Sequence, residues 1–241
     1  MTQSLFISDL HLSVDETDRV RLFLRFLTDR APQADHLYIL GDLFDAWVGD
    51  DHLQPPIPEI KLAMQQLSNS GTRLWLMHGN RDFLIGDDFC RETGAALLQD
   101  PTLVDLYDTP TLLMHGDLLC SDDVAYQQFR REIREPENVK VFLSHSLAQR
   151  LALAQSYREK SGEAKSLKPE SIMDVNQETV KSYLIEYGAE RLIHGHTHRP
   201  ADHRIELRTK PVQRHVLAEW RQHQAESLCV TPEGVSRERF R

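Results

Sequence analysis

Short apolar runs alternate with longer amphipathic segments along most of the chain. Five of the runs have the length of a single buried strand, and they lie at residues 5–7, 37–40, 74–77, 111–114 and 191–193. Three amphipathic segments repeat apolar side chains at the spacing of one helix face; these are residues 20–27, 60–67 and 176–187. Strands that alternate with helices predict a layered α/β fold.

Two regions depart from this alternation. Residues 212–240 predict additional strands, with the turn Thr231-Pro232-Glu233-Gly234 between two of them. Residues 122–168 are mostly helical and strongly charged, and we interpret them as a helical cap inserted into a single domain that spans residues 1–241. Within this cap, residues 139–153 are apolar on one side, which suits either an ordinary packed core or a surface that binds a ligand.

Composition and charge narrow the class of protein. An apolar content of 40% and a charged content of 27% are typical of a globular chain. The net charge of -9 argues against a nucleic-acid partner, which requires basic surface to displace counterions. The three cysteines are far apart and form no C-x-x-C pair, so we expect neither disulfides nor a thiolate zinc site.

The apolar runs also bear on localisation. The N-terminus lacks the basic region of a signal peptide, and no apolar run approaches the ~18 residues that a membrane-spanning helix needs. We therefore expect a cytoplasmic protein, with contact to a membrane surface left open.

Each of the five apolar runs ends in residues that can bind a metal. The five segments are Asp9-Leu10-His11, Gly41-Asp42, Gly79-Asn80-Arg81-Asp82, His115-Gly116-Asp117 and His194-Gly195-His196-Thr197-His198. Open α/β sheets bind ligands at the carboxyl ends of their strands, and glycine permits the sharp turns required there. One Asp or His after a strand is usually structural, but five such segments together predict a metal centre.

The types of donor atom and their spacing indicate phosphoryl chemistry. Residues i and i+2 of an extended segment point the same way, so Asp9 and His11, and likewise His196 and His198, are expected to face one metal cluster. Oxygen and nitrogen donors without thiolate suit Mn²⁺, iron or Zn²⁺ better than Ca²⁺. Two such ions, roughly 3.5–4 Å apart, clamp the attacking and leaving oxygens of a phosphoryl displacement. His78 and His194 lie one residue out of phase with the ligand positions of these segments, and we interpret them as structural.

These motifs resemble those of the calcineurin-like metallophosphoesterases. The resemblance implies an α/β sandwich of two sheets flanked by helices, with Asp42 bridging two metal ions. It also implies the two ligand sets: Asp9, His11, Asp42 and His198 for one metal, and Asp42, Asn80, His115 and His196 for the other.

One position departs from that family in a way that bears on the substrate. Many members have histidine after the Gly-Asn pair, where it protonates the leaving group, whereas this chain has Arg81. A guanidinium stays protonated at neutral pH and cannot act as a general acid, but it can bind phosphate oxygens bidentately. Arg81 therefore favours a substrate whose leaving group departs as an anion, such as one phosphate of a pyrophosphate.

Longer motifs resemble one bacterial branch of the family, the UDP-2,3-diacylglucosamine diphosphatases of lipid A biosynthesis. They comprise residues 41–51, 78–84, 115–117 with 122–123, 172–176 and 192–200. The resemblance implies two Mn²⁺ per chain and attack of water at the α-phosphate of UDP-2,3-diacylglucosamine, giving UMP and 2,3-diacylglucosamine 1-phosphate (lipid X). It also implies a monomer associated peripherally with the cytoplasmic face of the inner membrane.

The same resemblance assigns roles to individual residues. The catalytic residues would be Asp42, Asn80, Arg81 and His196. The substrate contacts would be Asn80, Arg81, Asp123, Ser161, Lys165, Lys168 and His196. Two positions depart from the branch: Lys165 stands where asparagine is frequent, and residues 216–220 lack the usual Gly-Asp. We expect the second departure to alter a late strand more than the chemistry.

Two other functions are compatible with the metal ligands alone. The first is another phosphoesterase of the same fold, either a nuclease or a general nucleotide pyrophosphatase. The second is a non-catalytic scaffold with a decayed site. The presence of every expected ligand argues against a decayed site.

Overall fold

The computed structural model describes residues 2–166, 174–208 and 210–241. Its strands are β1 Ser4–Ile7, β2 His36–Leu40, β3 Arg73–Met77, β4 Ala95–Leu98, β5 Thr102–Asp105, β6 Pro110–Met114, β7 Arg191–His194, β8 Ala201–Glu206, β9 Pro211–Val216, β10 Ala225–Thr231 and β11 Gly234–Phe240. Its α-helices are α1 Thr17–Asp29, α2 Ile57–Asn69, α3 Asp87–Thr93, α4 Val124–Arg134, α5 Pro136–Ser144, α6 Leu147–Ser166 and α7 Gln177–Glu186.

The strands form two sheets. The first has the order β11-β10-β1-β2-β3-β4, in which β1 to β4 are parallel and β10 and β11 run antiparallel to their neighbours. The second has the order β5-β6-β7-β9-β8, in which β6, β7 and β9 are parallel and the outer strands are antiparallel. This architecture confirms the predicted two-sheet α/β sandwich flanked by helices.

Three apolar layers hold the sandwich together. The layer between the sheets contains Phe6, Tyr38, Leu113 and Ile193. A second, larger layer buries the apolar faces of α1, α2 and α3 on the outer side of the first sheet. The third packs α7 on the outer side of the second sheet. Because side chains alternate across a strand, β1, β2, β6 and β7 supply two layers each, which explains their continuous apolar sequence.

The sequence predicts the central strands and the edge strand β11 but misses the other three edge strands. All five apolar runs are strands, the three amphipathic segments are helices, and Thr231 pairs with Gly234 across the predicted turn. The pattern does not predict β4, β5 and β8, which are edge strands. An edge strand has one neighbour and a partly exposed face, so its sequence needs no continuous apolar run; in β8 only Ile205 is buried.

In its described part, the charged segment at 122–168 forms the three helices α4, α5 and α6, joined by short non-helical connections. Residues 139–153 are divided between α5 and α6, and neither α4 nor α5 has a buried residue. The side chains of Val141 and Leu143 are 58% and 42% exposed. These apolar side chains therefore do not form an ordinary packed core. Within the described ranges, every helix is too short or too polar to cross a lipid bilayer.

Trp220 joins the end of the second sheet to the core beneath the first. Its side chain is fully buried, with ring centroids 6.0 Å from Phe23 and 5.4 Å from Phe26. Its indole N–H donates to the carbonyl of Glu226 at 3.1 Å. Replacement by a small residue leaves both a cavity and an unpaired buried carbonyl.

We therefore expect Trp220→Ala to lower the free energy of unfolding by about 3–5 kcal/mol, measured by urea denaturation. The control is Leu62→Ala on α2, where the side chain is 55% exposed and the expected change is within about 0.5 kcal/mol. Equal losses in the two variants would contradict this description of the core.

Candidate metal centre

The predicted ligands lie where the parallel strands of both sheets end. Asp9, Asp42 and Asn80 follow β1, β2 and β3 of the first sheet, and His115 and His196 follow β6 and β7 of the second. Because parallel neighbours end at the same edge, each sheet collects its own ligands. Face-to-face packing of the sheets then brings the two collections together.

A first group of donors contains Asp9, His11 and His198. One ligand atom from each lies within 4.8 Å of the others. Asp9 Oδ1 is 3.4 Å from His198 Nε2, which in turn is 3.3 Å from His11 Nε2.

A second group contains Asp9, Asp42 and His115, again within 4.8 Å. Asn80 extends it, because Asn80 Oδ1 lies 3.0 Å from His115 Nε2 and 2.9 Å from His196 Nδ1. All the predicted metal ligands therefore converge on one region.

Asp42 lies between the two groups. Its Oδ2 is 3.9 Å from His11 Nδ1 and 3.8 Å from His115 Nε2. Asp9 belongs to both groups. A second carboxylate central to both groups was not predicted from the sequence.

The donor atoms fit a divalent cation. Asp9 Oδ1 and His11 Nδ1 are buried and have no hydrogen-bond partner among the described residues. Leaving such atoms unpaired in a protein interior costs free energy. The imidazole nitrogens of His11 and His198 face each other at 3.3 Å, a distance at which a shared cation satisfies both lone pairs. Oxygen and nitrogen donors without thiolate suit Mn²⁺, iron or Zn²⁺.

The buried carboxylates influence one another. Burial raises the pKa of Asp42 to about 7, and the nearby charges of Asp82 and Asp9 act in the same direction. Burial opposes the protonation of His115, but the carboxylates of Asp42 and Asp117 raise its pKa to about 9. The region therefore attracts positive charge, and a cation there would favour the ionised form of Asp42.

Several ligands have a left-handed backbone. The φ angles of the five are +56° at Asp9, +48° at His11, +53° at Asp42, +67° at His196 and +55° at His198. The prediction that Asp9-Leu10-His11 and His196-Thr197-His198 are extended is therefore wrong. Both pairs reach the centre because left-handed residues turn the chain sharply after the strand. Such a conformation costs about 1–3 kcal/mol at a non-glycine residue and persists only where its surroundings enforce it.

Asp82 is one of the groups that enforce this backbone. Its side chain is fully buried and accepts N–H groups from two ligand loops. Oδ2 accepts from Leu43 at 2.7 Å, and Oδ1 accepts from Gly79 at 2.8 Å and from Asp42 at 3.2 Å. Asp82 ends the third ligand segment of the sequence, but no role was predicted for it. Its position in a glycine turn beside Asn80 is the sequence feature that could have indicated this role.

Two glycines allow those loops to touch. Gly41 has a φ of +89°, and a β-carbon there would lie 2.7 Å from the Cα of Gly79. A β-carbon on Gly79 would in turn overlap the Asp42 carboxylate. The two backbones therefore approach to a distance that no side chain permits.

Arg81 lies at the edge of the centre. Its backbone N–H donates to Asp42 Oδ1 at 2.8 Å, and its guanidinium Nη1 is 3.9 Å from Asp45 Oδ1. About a quarter of the side chain is exposed. The guanidinium is thus accessible while its backbone is fixed to a ligand.

The remaining predicted substrate contacts lie on the charged helical segment. The partly buried Asp123 caps α4, where its Oδ1 accepts the N–H of Tyr126 at 3.1 Å. Lys168 lies outside the described residues, as do the side chains of Ser161 and Lys165.

The two histidines interpreted as structural have partners away from the ligands. His78 Nε2 is 2.7 Å from the carbonyl of Ile85. His194 is fully buried, which lowers its pKa to about 3, and its Nδ1 is 2.9 Å from the carbonyl of Gly195.

Glu219 contacts a ligand that the sequence analysis did not connect with it. We expected the departure at residues 216–220 to affect a strand, but β9 ends at Val216. Glu219 Oε1 lies 3.4 Å from His198 Nδ1, and the backbone N–H of Trp220 donates to the carbonyl of Asp9 at 3.2 Å. This segment is therefore part of the support around the centre.

Arginines connect the helical segment to the ligand loops. On α4, Arg130 Nε donates to Asp117 Oδ2 at 2.6 Å and Arg134 Nη2 donates to the carbonyl of Gly79 at 2.8 Å. On α6, Arg158 forms an ion pair with Asp45. The i, i+4 spacing of Arg130 and Arg134 places both on one helix face, which was the signal available in the sequence.

We expect Asp82→Asn to weaken Mn²⁺ binding by about 10–100-fold, the usual effect of removing a group that orients ligands. The amide replaces one acceptor oxygen with a donor that opposes the N–H groups of the two loops. Electron paramagnetic resonance of free Mn²⁺ gives the affinity.

The matched control is Asp50→Asn. Asp50 also accepts backbone N–H groups, from Gly86 and Phe89 at 3.0 Å each, but it contacts no predicted ligand through those bonds. Its variant should bind Mn²⁺ as the wild type does. An equal loss of affinity in both variants would mean that Asp82 acts on general stability.

Comparison with known proteins agrees with this geometry. A family model described as calcineurin-like phosphoesterase matches residues 3–200. A Marinobacter nauticus protein named UDP-2,3-diacylglucosamine hydrolase is 50% identical over 217 residues, covering 90% of this chain and 89% of that protein. A protein of the same name from Ectopseudomonas mendocina is 48% identical over 236 residues, covering 98% and 97%. The chain therefore belongs to the calcineurin-like phosphoesterase family, a family of metal-dependent hydrolases, and within it to the group of proteins named UDP-2,3-diacylglucosamine hydrolase.

Proposed function

We propose that this protein hydrolyses the pyrophosphate bond of UDP-2,3-diacylglucosamine. Water attacks the α-phosphate, the bond between that phosphorus and the bridging oxygen breaks, and the products are UMP and 2,3-diacylglucosamine 1-phosphate. The observation that carries the proposal is the convergence of oxygen and nitrogen donors beside Arg81, at a position where a general acid would otherwise stand. The names of the close relatives supply the substrate.

The proposed cofactor is two Mn²⁺ per chain. Asp9, His11, Asp42 and His198 would hold one ion, and Asp42, Asn80, His115 and His196 the other. When bound, the ions would offset the charge of the phosphate oxygens and lower the pKa of the attacking water.

The side chains around the donors position the substrate. Arg81 is accessible, and its fork of N–H groups suits two oxygens of one phosphate. Asn80 and His196, whose Oδ1 and Nδ1 atoms lie 2.9 Å apart, face the same region and would contact the attacked phosphate. A preorganised set of donors stabilises charge on phosphate oxygens without reorganising during the reaction.

The leaving group needs no proton from the protein. Displacement at the α-phosphate releases a phosphomonoester, which is stable as an anion at neutral pH. Arg81 cannot donate a proton there, so its proposed role is to bind charge. This role agrees with a pyrophosphate substrate better than with a phosphodiester whose leaving group is an alkoxide.

We propose that α4, α5 and α6 form a cap over the centre within a single domain of residues 1–241. The arginine contacts to Asp117, Gly79 and Asp45 support this arrangement. Apolar side chains on these helices are exposed, including Val124, Phe129, Val141, Leu143 and Tyr157. Exposed apolar side chains of this kind suit two acyl chains and the surface of a bilayer.

The partners and localisation follow from that substrate. We propose a monomeric cytoplasmic protein that rests peripherally on the cytoplasmic face of the inner membrane. Asp123, Ser161, Lys165 and Lys168 are proposed substrate contacts. A net charge of -9 agrees with the absence of a nucleic-acid partner.

The direct test is release of UMP from UDP-2,3-diacylglucosamine, with and without Mn²⁺. We expect Mn²⁺-dependent release and a kcat/KM well above those for UDP-GlcNAc and bis-p-nitrophenyl phosphate, because neither of these has acyl chains for the cap. Comparable turnover of UDP-GlcNAc would indicate a general nucleotide pyrophosphatase. Preference for the diester would indicate a phosphodiesterase or nuclease.

We expect Arg81→Ala to lower kcat by about 10²–10³, the typical loss when one charge-stabilising donor is removed. Arg81→Lys should recover only part of the activity, because an ammonium lacks the planar fork. The pH dependence of kcat/KM should keep its wild-type limbs, since an arginine side chain takes no part in proton transfer at neutral pH.

The control is Arg21→Ala, whose side chain is 75% exposed on α1 and which should have wild-type activity. Loss of the alkaline limb of the pH profile of kcat/KM in Arg81→Ala would show that this position takes part in proton transfer.

A further inference from the structure

A polar cavity lies between the sheets, at the end of β7 opposite the metal centre. Its volume is about 550 Å³. Arg191, Asp202, Gln213 and His215 line it from the second sheet, and residues 234–237 line it from β11 of the first. None of the predicted metal ligands lines this cavity. A volume of this size is typical of sites for small molecules.

The strand register places these side chains between the sheets. Arg191 pairs with Gln213, and Ile193 pairs with His215. Ile193 belongs to the apolar layer between the sheets. Because alternate residues share a face, Arg191, Gln213 and His215 continue that layer toward β11, so the layer changes there from apolar to polar and cationic.

Arg191 has no charged partner among the described residues. Its Nε and Nη1 are buried, and their N–H groups donate to no acceptor in the described ranges. Burial lowers the pKa of its guanidinium. A partly buried cation without a partner is unfavourable, and an anion that enters the cavity relieves that cost.

The carboxylate that lines the cavity, Asp202, already has partners. Asp202 Oδ1 lies 2.7 Å from His215 Nδ1 and accepts Arg237 Nη2 at 2.7 Å. Arg237 also donates to Glu226 at 2.7 Å. These bonds leave Asp202 satisfied by Arg237 and His215, and leave Arg191 available for a ligand.

His215 presents a second available atom. The residue is 5% exposed, and its Nε2 is buried with no hydrogen-bond partner in the part of the chain that the structure describes. The bond between Nδ1 and Asp202 fixes the ring, as second partners commonly orient functional histidines. An anion beside Nε2 would favour the protonated ring, which donates from that atom.

We propose that this cavity binds a phosphate group, either free phosphate or the phosphate of a small molecule. Arg191 supplies a guanidinium fork for two oxygens, and His215 and Gln213 supply further polar atoms from the neighbouring strand β9. Polar atoms from three side chains suit an anion with at least three terminal oxygens, whereas a carboxylate has two. The cavity is larger than one phosphate, so an attached organic group fits beside it.

Titration of metal-loaded protein with inorganic phosphate tests the proposal. Nuclear magnetic resonance of the His215 ring reports on this cavity separately from the metal centre; Zn²⁺ is used because it is diamagnetic, and His215→Gln assigns the resonances. We expect a saturable shift in the wild type and at least tenfold weaker binding in Arg191→Met. Arg204→Met on β8 is the control, since its side chain is 72% exposed and pairs with Glu206; it should bind as the wild type does.

Two further ligands identify the source of the phosphate. Tighter binding of glycerol 3-phosphate than of inorganic phosphate indicates a phosphomonoester ligand, and equal binding indicates recognition of the phosphate group alone. Acetate should bind at least tenfold more weakly than either. The proposal is overturned if the His215 resonances do not move, if Arg191→Met titrates like the wild type, or if acetate binds equally well.

Thermal unfolding keeps the test independent of any folding defect. Without phosphate, Arg191→Met should have a Tm at or above that of the wild type, because an unpaired cation is removed. Saturating phosphate should raise the Tm of the wild type more than that of Arg191→Met, with Arg191→Lys between them. Equal rises in all three proteins would assign the phosphate to the metal centre and overturn the proposal.

Discussion

Four buried carboxylates at one edge of the sandwich impose the main constraint on this structure. Asp9, Asp42, Asp82 and Asp117 are each at most 2% exposed, and a buried charge without compensation is very unfavourable. Asp82 is compensated by backbone N–H groups, and Asp117 by Arg130 and the hydroxyl of Tyr126. Asp9 and Asp42 face histidines instead. The carboxylates without full compensation inside the protein are therefore the ones that fit a cation.

The same constraint explains the backbone around the centre. Ligands that follow a strand directly would continue along it and away from the other sheet. Left-handed residues at Asp9, Asp42 and His196 turn the chain at once, and close contact of Gly41 with Gly79 brings two loops together. The strain is sustained because the apolar layers hold the preceding strands and because Asp82 holds the loops of Asp42 and Gly79.

The helical segment is coupled to the centre through charge. Arg130 and Arg134 contact the loops after β6 and β3, while Arg150 and Arg158 contact Asp51 and Asp45 after β2. A segment with no buried residues in α4 and α5 is thus held by ion pairs more than by apolar packing. Arg130 and Asp117 are largely buried in their pair, and so is Arg150 in its pair with Asp51, so the helical segment is anchored to the ligand loops by charge. Arg191, at the other end of β7, differs from these arginines because it pairs with no carboxylate among the described residues. The paired arginines hold the structure together, whereas Arg191 is available to a ligand.

The sequence by itself determined the central strands, the main helices and the identity of the ligand-bearing segments. Continuous apolar runs and polar strand ends are local properties of the chain, and Gly41-Asp42 or Gly195-His196 can be recognised without knowing what lies opposite. Only the tertiary structure decided which residues meet. Packing between segments far apart in the chain decided the edge strands β4, β5 and β8, the left-handed ligands and the role of Asp82. It also decided the contact of Glu219 with His198 and the unpaired state of Arg191. A hydrophobic pattern records whether a residue is buried, but it does not record its partner, and the chemistry of a buried charge depends on that partner.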